Sequence, residues 1–308
     1  MVKHNLVSGE EGMIERLRRR VPLSLAGGLI LGIGDDCAIF RPRGSAEDLL
    51  FTTDLLIEGV HFLSETHTAA DAGWKALARG LSDVAAMGGE PRFCLLSLAL
   101  PAWANSQWVD GFYRGLLRLA TSAGAPLIGG DLARADRVMA DIVVCGAVPH
   151  GQALRRDGAR AGDAIYVSGT LGGSALGLAT RRGKAWRRHK RPAPRVALGA
   201  FLRRRLGATA AMDLSDGLSL DLRRLCLASR LEAEITEPPR YRGATREQAL
   251  HGGEDYELLF TLPPAARPPI RFEGLPLTRI GNMRKGRKGA VRMNGAPLPA
   301  LGFDHFRQ

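Results

Sequence analysis

Five short acidic segments, each closing an apolar stretch, are strung along this chain. They are Gly-Ile-Gly-Asp-Asp (Gly32 to Asp36), Thr-Thr-Asp (Thr52 to Asp54), Leu-Ser-Asp (Leu81 to Asp83), Gly-Gly-Asp (Gly129 to Asp131) and Asp-Leu-Ser-Asp-Gly (Asp213 to Gly217). Taken singly, Asp and Gly are ordinary turn residues. Five such clusters on one basic chain point to a shared purpose. Hard oxygen ligands drawn from distant segments are what a Mg²⁺–phosphate site needs. Glycine lets a phosphate approach the backbone closely.

The sequence between these segments reads as alternating strands and helices. Ser8-Gly-Glu-Glu11 has capping-box spacing, and Ile14, Leu17 and Val21 recur at helical intervals, which predicts a first helix near residues 8–20. Leu49 to Thr53 reads as a strand ending at Asp54. Asp71 to Met87 reads as an amphipathic helix with Trp74, Leu77, Ala78, Leu81, Val84 and Ala85 as its apolar stripe. At about 100° per residue, Asp83 lies roughly 180° from Trp74, on the polar face. Phe93 to Leu100 predicts a buried strand, Gln107 to Gly124 a helix and Val138 to Val148 another strand. Leu127-Ile128 runs into the Gly-Gly-Asp131 turn. After Pro149-His150-Gly151 the pattern restarts. A strand at Ala164 to Val167 leads through the glycine-rich turn Ser168 to Gly173 into an apolar helix at Ala175 to Ala179. The predicted fold class is α/β (α+β layered) in two domains, residues 1–150 and 151–308.

Composition narrows the function only a little. The net charge of +12 suits acidic small molecules, nucleic acid or an anionic membrane, and does not choose among them. Arg and Lys crowd residues 181–205, which contain no acid, and Arg191-Pro-Ala-Pro-Arg195 resists a continuous helix. That segment is either a solvated surface connection or an electrostatic collar for anionic substrates. Cys37, Cys94, Cys145 and Cys226 form no CxxC pair, which argues against a zinc ribbon or a disulfide framework and for a reduced cytoplasmic protein. The N-terminus has no signal-peptide pattern, and the apolar stretch around Phe93 to Trp103 is too short to span a bilayer.

Familiar nucleotide motifs are missing. The nearest approach to a Walker A loop, Gly281 to Gly286, is followed by Arg287-Lys288 where Lys-Ser/Thr is needed. Gly32-Ile-Gly34 is followed by two aspartates, which would repel a pyrophosphate unless metal intervened. Metal-mediated phosphate binding is favoured over direct amide cradling. No HExxH or paired His/Cys spacing suggests zinc, and His61 and His67 flank a loop without matching partners. No nucleophile elbow is present, and neither Ser168 nor Ser215 has a histidine placed in sequence to activate it. Asp35 and Asp36, or any other of these carboxylates taken alone, are more often structural than functional. Their joint pattern carries the site reading.

Gly32 to Ala38, Thr53 to Phe62 (Thr-Asp-Leu-Leu-Ile-Glu-Gly-Val-His-Phe) and Leu81 to Gly88 (Leu-Ser-Asp-Val-Ala-Ala-Met-Gly) resemble segments of the thiamine-monophosphate kinase family. So do Ile128 to Asp131, Met212 to Leu218 and Gly252-Gly-Glu-Asp-Tyr-Glu-Leu258. The resemblance runs in order from about Gly32 to Phe306. Aminoimidazole ribonucleotide synthetase and selenophosphate synthetase share parts of the first half. The resemblance implies phosphorylation of thiamine phosphate by ATP, giving thiamine diphosphate. It implies that Asp36, Thr52, Thr53, Asp54, Asp83, Asp131, Asp213 and Asp216 hold several Mg²⁺ ions around the ATP phosphates, with Asp35 ranked below Asp36. Those aspartates form the implied catalytic set. Gly130, Arg156 and Ser215 would contact ATP, and His61, Glu254 and Phe303 would contact thiamine phosphate. A homodimer pairing its N-terminal sheets is implied, with no nucleic-acid or membrane partner. His251 stands where a small residue is expected, and the stretch from Ile235 to Arg246 looks short.

The implied acceptor is a phosphate oxygen. A phosphate monoester has its second pKa near about 6, so it needs no strong general base at neutral pH. The difficulty is bringing two anions together, since two unit charges about 4 Å apart repel by about 4 kcal/mol at an effective dielectric near about 20. Glu254 would complement the cationic thiazolium and Phe303 would stack on it. Two other readings compete: a cyclising synthetase of the same superfamily, and a nucleic-acid binder driven by charge. The second lacks zinc-finger spacing and an aromatic RNA-binding signature.

Overall fold

The computed structural model describes residues 9–21 and 26–306. In chain order the first half contains α1 (Glu10–Arg20), β1 (Leu29–Leu31), β2 (Ala38–Phe40), β3 (Glu47–Ile57), α2 (Ala69–Ala86), β4 (Glu90–Leu100), α3 (Ser106–Ala123), β5 (Leu127–Arg134) and β6 (Met139–Pro149). The second contains β7 (Ala164–Ser168), α4 (Gly173–Thr180), α5 (Gly183–Lys190), α6 (Val196–Phe201), β8 (Ala210–Asp213), α7 (Leu218–Ser229) and β9 (Glu232–Ile235). It continues with α8 (Arg246–His251), β10 (Leu258–Leu262), β11 (Arg271–Phe272), β12 (Leu275–Arg284), β13 (Val291–Met293) and β14 (Ala296–Pro297).

Two sheets result, and the α/β layered class expected from the sequence is what forms. The first runs β1-β2-β3-β6-β4-β5, and the second runs β14-β13-β9-β12-β7-β10-β8 with β11 on β12. The spine of the first sheet is the antiparallel β3–β6 pair, in register from Glu47 opposite Pro149 to Ile57 opposite Met139. Its apolar residues pack beneath α2 and α3. β10 is buried along its whole length at the heart of the second sheet, between β7 and β8. A third apolar cluster joins the halves. Ala85 and Ala86 of α2 meet Leu198 and Leu202 of the α6 region and Ala211, Leu258 and Phe260 of the second sheet.

Several local expectations shift. α1 starts at Glu10 with Gly9 as its cap residue, and Ser8 lies outside the described residues. β3 does not stop before Asp54, because its ladder with β6 continues to Ile57, so Asp54 is an interior strand residue. Gly129 to Asp131 is not a turn either. These residues lie within β5, which pairs in parallel with β4. Gly130 is required there by close approach, since a Cβ would sit 1.8 Å from the Leu96 carbonyl oxygen.

α2 carries the predicted apolar stripe but is not a surface helix. It is buried on nearly every side because the first sheet, α3 and the second half all pack around it. Its start is set by a capping box in which Thr68 and Asp71 exchange side-chain-to-backbone hydrogen bonds. The basic segment folds as α5 and α6, broken at the Arg191–Arg195 stretch. It is no free surface connection. Arg188 and Arg195 both reach the fully buried Glu257, at 3.0 and 2.5 Å, while Lys190 and Arg191 pair with Asp71 at 2.8 and 2.5 Å. Trp74 Nε1–H donates to the Pro192 carbonyl (2.8 Å), fastening the same segment to α2.

Candidate active site

A four-residue spacing on α2 organises the cleft between the halves. Asp71, Lys75, Arg79 and Asp83 recur one helical turn apart, so their side chains follow one another along neighbouring faces. Asp71 is spent on the basic segment. Lys75 is wholly buried, and its ammonium donates to the His61 carbonyl at 2.8 Å. It also lies 2.7 Å from Glu254 Oε1, an ion pair made across the two halves. Arg79 grips Asp54 through Nε (3.0 Å) and the second guanidinium nitrogen (2.5 Å), and also reaches the Leu55 carbonyl (3.1 Å). Asp83 accepts from Thr52 Oγ1 at 2.5 Å.

Beyond Arg79 the cleft turns acidic. Asp36, from the loop before β2, Asp83, from α2, and Asp213, from the end of β8, bring carboxylate oxygens within 4.8 Å of one another. Ser82 Oγ donates to Asp213 at 2.6 Å. Burial, and then the charge of Asp36, push Asp213 up to about 7. Burial with Asp213, Asp54 and Asp36 around it holds Asp83 well above the usual carboxylate range. Such mutual repulsion is what a bound divalent cation relieves, and hard carboxylate oxygens drawn from three segments suit Mg²⁺. The donor set therefore fits that ion.

The other sequence-predicted residues distribute unevenly around this trio. Asp35 is adjacent to it, accepting from the Arg156 backbone N–H (3.1 Å), and burial followed by Asp36 raises it to about 7. Arg156 forks onto Asp36 at 3.2 and 2.5 Å. Asp216 follows Asp213 across Ser215 and is bonded by Arg224. Thr52 and Asp54 share the helix-facing side of β3, whereas the alternation of the strand turns Thr53 to the opposite, exposed face, where its hydroxyl donates to Asp141 (2.6 Å). Asp131 lies on exposed β5 with Gly130 beside it, apart from the trio.

The segment Gly252 to Leu258 is a strained knot. Glu254 and Tyr256 both adopt left-handed backbone angles, with φ of 65° and 50°. Gly253 lets the loop close on the neighbouring strand end, since a Cβ would lie 2.6 Å from the Ser215 carbonyl oxygen. Glu254 N–H then donates to that carbonyl at 2.7 Å. Each acid has its own task. Asp255 accepts from the Gly172 and Ser174 N–H groups at the start of α4, Glu257 anchors the basic segment, and Glu254 faces Lys75 and, at 3.3 Å, His189. Burial alone would push Glu254 up, but the Lys75 ammonium outweighs it and holds the carboxyl below its usual range. His251 sits at the start of this loop, with Nδ1 bonded to Ser219 Oγ (2.7 Å).

His61 accepts the Ile57 N–H at Nδ1 (3.0 Å), so its proton sits on Nε2, a buried donor with no partner among the described residues. Burial and then the Arg79 charge lower His61 to about 3, leaving the ring neutral. His305 links His61 to half-exposed Phe303, with ring centroids 5.2 and 4.7 Å apart, so three aromatic rings follow one another from His61 to the surface. Reasoning from the sequence alone passed over Lys75, Arg79 and His305. The four-residue interval back from Asp83 was the available signal for the first two, while nothing local marked His305.

Both α/β halves thus contribute acids to one site. The family described as "AIR synthase related protein, N-terminal domain" matches residues 34–151. The thiamine-monophosphate kinase of Escherichia coli O157:H7 is 39% identical, over 98% of this chain and 99% of that protein. That of Bacillus subtilis is 34% identical, over 90% and 94%. A solved structure described as "AaThiL complexed with AMPPCP and TMP" superposes with a TM-score of 0.84 at 32% identity, covering 97% of each chain. The hydrogenase maturation protein HypE, at 19% identity and a TM-score of 0.68 over 86% of this chain and 92% of that one, shares the fold. The chain belongs to the thiamine-monophosphate kinase family.

Proposed function

We propose that this protein transfers the terminal phosphoryl group of ATP directly to the phosphate of thiamine phosphate, giving thiamine diphosphate. The observation that carries the reading is the convergence of Asp36, Asp83 and Asp213 within 4.8 Å, in a chain of this family. Mg²⁺ held there would neutralise phosphate charge and polarise the transferring group. Asp36, Asp83 and Asp213 form the core of the cation set, with Thr52 and Asp54 beside them. Thr53, Asp131 and Asp216 complete the proposed set from its margins. Gly130, Arg156 and Ser215 are assigned to the nucleotide. His61 offers its free Nε2–H to the acceptor, Phe303 offers a ring face, and Glu254 closes the acceptor side.

The acceptor is ionised at neutral pH, so the residues need only position it and offset charge. This agrees with a neutral His61 and with the absence of an activated nucleophile from the described residues of the cleft. Residues 1–150 and 151–308 are read as two domains that share the site. The exposed β5 edge, with Ile128 and Leu132 open to solvent, supports pairing of two copies through the first sheet. Four buried free cysteines support a cytoplasmic setting, and no described helix is long and apolar enough to cross a membrane.

The deciding assay measures thiamine diphosphate formed from ATP and thiamine phosphate, with and without Mg²⁺. No product at saturating substrate with Mg²⁺ refutes the reading. A rapid-quench search for phosphorylated protein tests the direct route, and a competent phospho-enzyme would refute that part alone.

A further inference from the structure

The charged ladder of α2 leaves one residue without a role in the reaction as proposed. Asp71 serves the basic segment, Lys75 is matched by Glu254, and Asp83 belongs to the acidic trio. Arg79 stands between them, about 6 Å along the helix from each neighbour. Its side chain is only 12% exposed. Two of its N–H groups are taken by Asp54 and one by the Leu55 carbonyl, out of the five that a guanidinium carries. Asp54 and Asp83 act on its charge from the cation side, and Glu254 and Tyr256 from the acceptor side, with His61 close enough to feel it.

Asp54 is the carboxylate that balances Arg79, and Asp54 also belongs to the proposed cation set. A carboxylate committed to a divalent cation no longer neutralises a guanidinium beside it. Arg79 would then be a buried charge short of an anion, and a buried charge needs a partner. Lys75 is in no such position, because Glu254 stays opposite it. Between the metal end of the ladder and the Glu254–His61 end, the anion that the reaction brings is the acceptor's phosphate. A guanidinium fork matches phosphate oxygens with two parallel hydrogen bonds.

We propose that Arg79 is the phosphate clamp of the acceptor subsite, the residue by which the enzyme distinguishes thiamine phosphate from thiamine. This rests on the reading of thiamine phosphate as substrate. Arg79 exchanges part of its hold on Asp54 for the acceptor phosphate when the cation set is filled. It thereby places a fixed positive charge between the two anions that must meet.

Isothermal titration of thiamine phosphate and of thiamine, each with Mg²⁺ and a non-hydrolysable ATP analogue, tests this on the wild-type protein, Arg79→Gln and Arg79→Lys. Wild-type protein should prefer thiamine phosphate. Arg79→Gln should lose about 10- to 100-fold in affinity for it, the scale of a charge-assisted hydrogen-bond pair, with affinities for thiamine and the ATP analogue unchanged. Arg79→Lys, which keeps charge without the fork, should retain an intermediate preference. In turnover the KM for thiamine phosphate should rise while that for ATP holds. A structural tether of Asp54 would lower the melting temperature without moving this preference, and that result overturns the assignment. A fall in affinity for the ATP analogue instead also overturns it. If Arg79→Gln does not fold, by circular dichroism, an Arg79→Lys protein with wild-type preference does the same. Wild-type protein that fails to bind thiamine phosphate sinks the substrate reading itself, and this assignment with it.

Discussion

The two ends of α2 use the same kinds of charged side chain to opposite effect. At the N-terminal end every charge is answered: Asp71 by Lys190 and Arg191, and Lys75 by Glu254. At the C-terminal end Asp83 faces two more carboxylates and, among the described residues, receives only the hydroxyl of Thr52. Buried charge matched by protein holds a fold together, whereas buried charge left unmatched is a place for something the protein must bind. One helix thus joins an anchor to a site, and the distinction lies in who supplies the counter-charge.

Neutralising the unmatched end should have the largest effect. Asp83→Asn is expected to lower turnover about 100- to 1000-fold, the cost of removing one preorganised group from a phosphoryl-transfer site. Because a repelling charge is removed, the melting temperature without Mg²⁺ should hold or rise, and the stabilisation that Mg²⁺ gives the wild-type protein should shrink. Loss of folding would show that Asp83 is an anchor too, and the contrast would collapse. Breaking the matched end should act the other way. Asp71→Ala is expected to cost about 2–3 kcal/mol in denaturant unfolding, because two cations lose a buried partner, while turnover per folded molecule at low temperature is kept. Thr68→Ala, which removes only the cap, should cost about 1 kcal/mol by the same measurement.

A gentler test uses pH. His67 and His189 pack beside Lys75, and burial followed by the Lys75 charge lowers them to about 4 and about 3 from a usual 6.5. Their folded forms are neutral, so the unfolded chain binds more protons below 6.5. Their contribution is therefore fully present above that value and is lost progressively as pH falls towards 4 and 3. Asp35 and Asp213, both raised to about 7, act in the opposite sense over this range, so the histidine contribution is read as a difference between two proteins. As pH falls from about 6.5 the melting temperature of His67→Phe should gain on that of the wild-type protein, and a constant difference would remove His67 from the account.

Much of this molecule was legible along the chain. The stripe of α2, the break in the basic segment at its two prolines and the restart of the strand pattern near Ala164 all follow from periodicity or from proline, which act over a few residues. Strand ends were less legible. β3 runs past Asp54 and β5 through Gly129-Gly130-Asp131, because a ladder with a distant partner outlasts the local turn preference of Asp and Gly. The acids were easy to find and hard to sort. Nothing local separates Thr52, which faces Asp83, from Thr53, which faces solvent, until the neighbouring strand fixes which side of β3 meets α2. Glu254 shows the same limit, since its partner Lys75 lies far away along the chain.

The sequence by itself determined the order of the main strands and helices as far as Ala179, the supply of hard oxygen ligands and the want of any Walker loop to replace them. These are properties of composition and short-range pattern. Only the tertiary structure decided which carboxylates crowd together and which charges meet. It set Asp36, Asp83 and Asp213 together, gave Glu254 to Lys75 and placed Arg79 between them. Charge compensation acts through space at a few ångströms, and the groups that supply it here come from opposite halves of the chain.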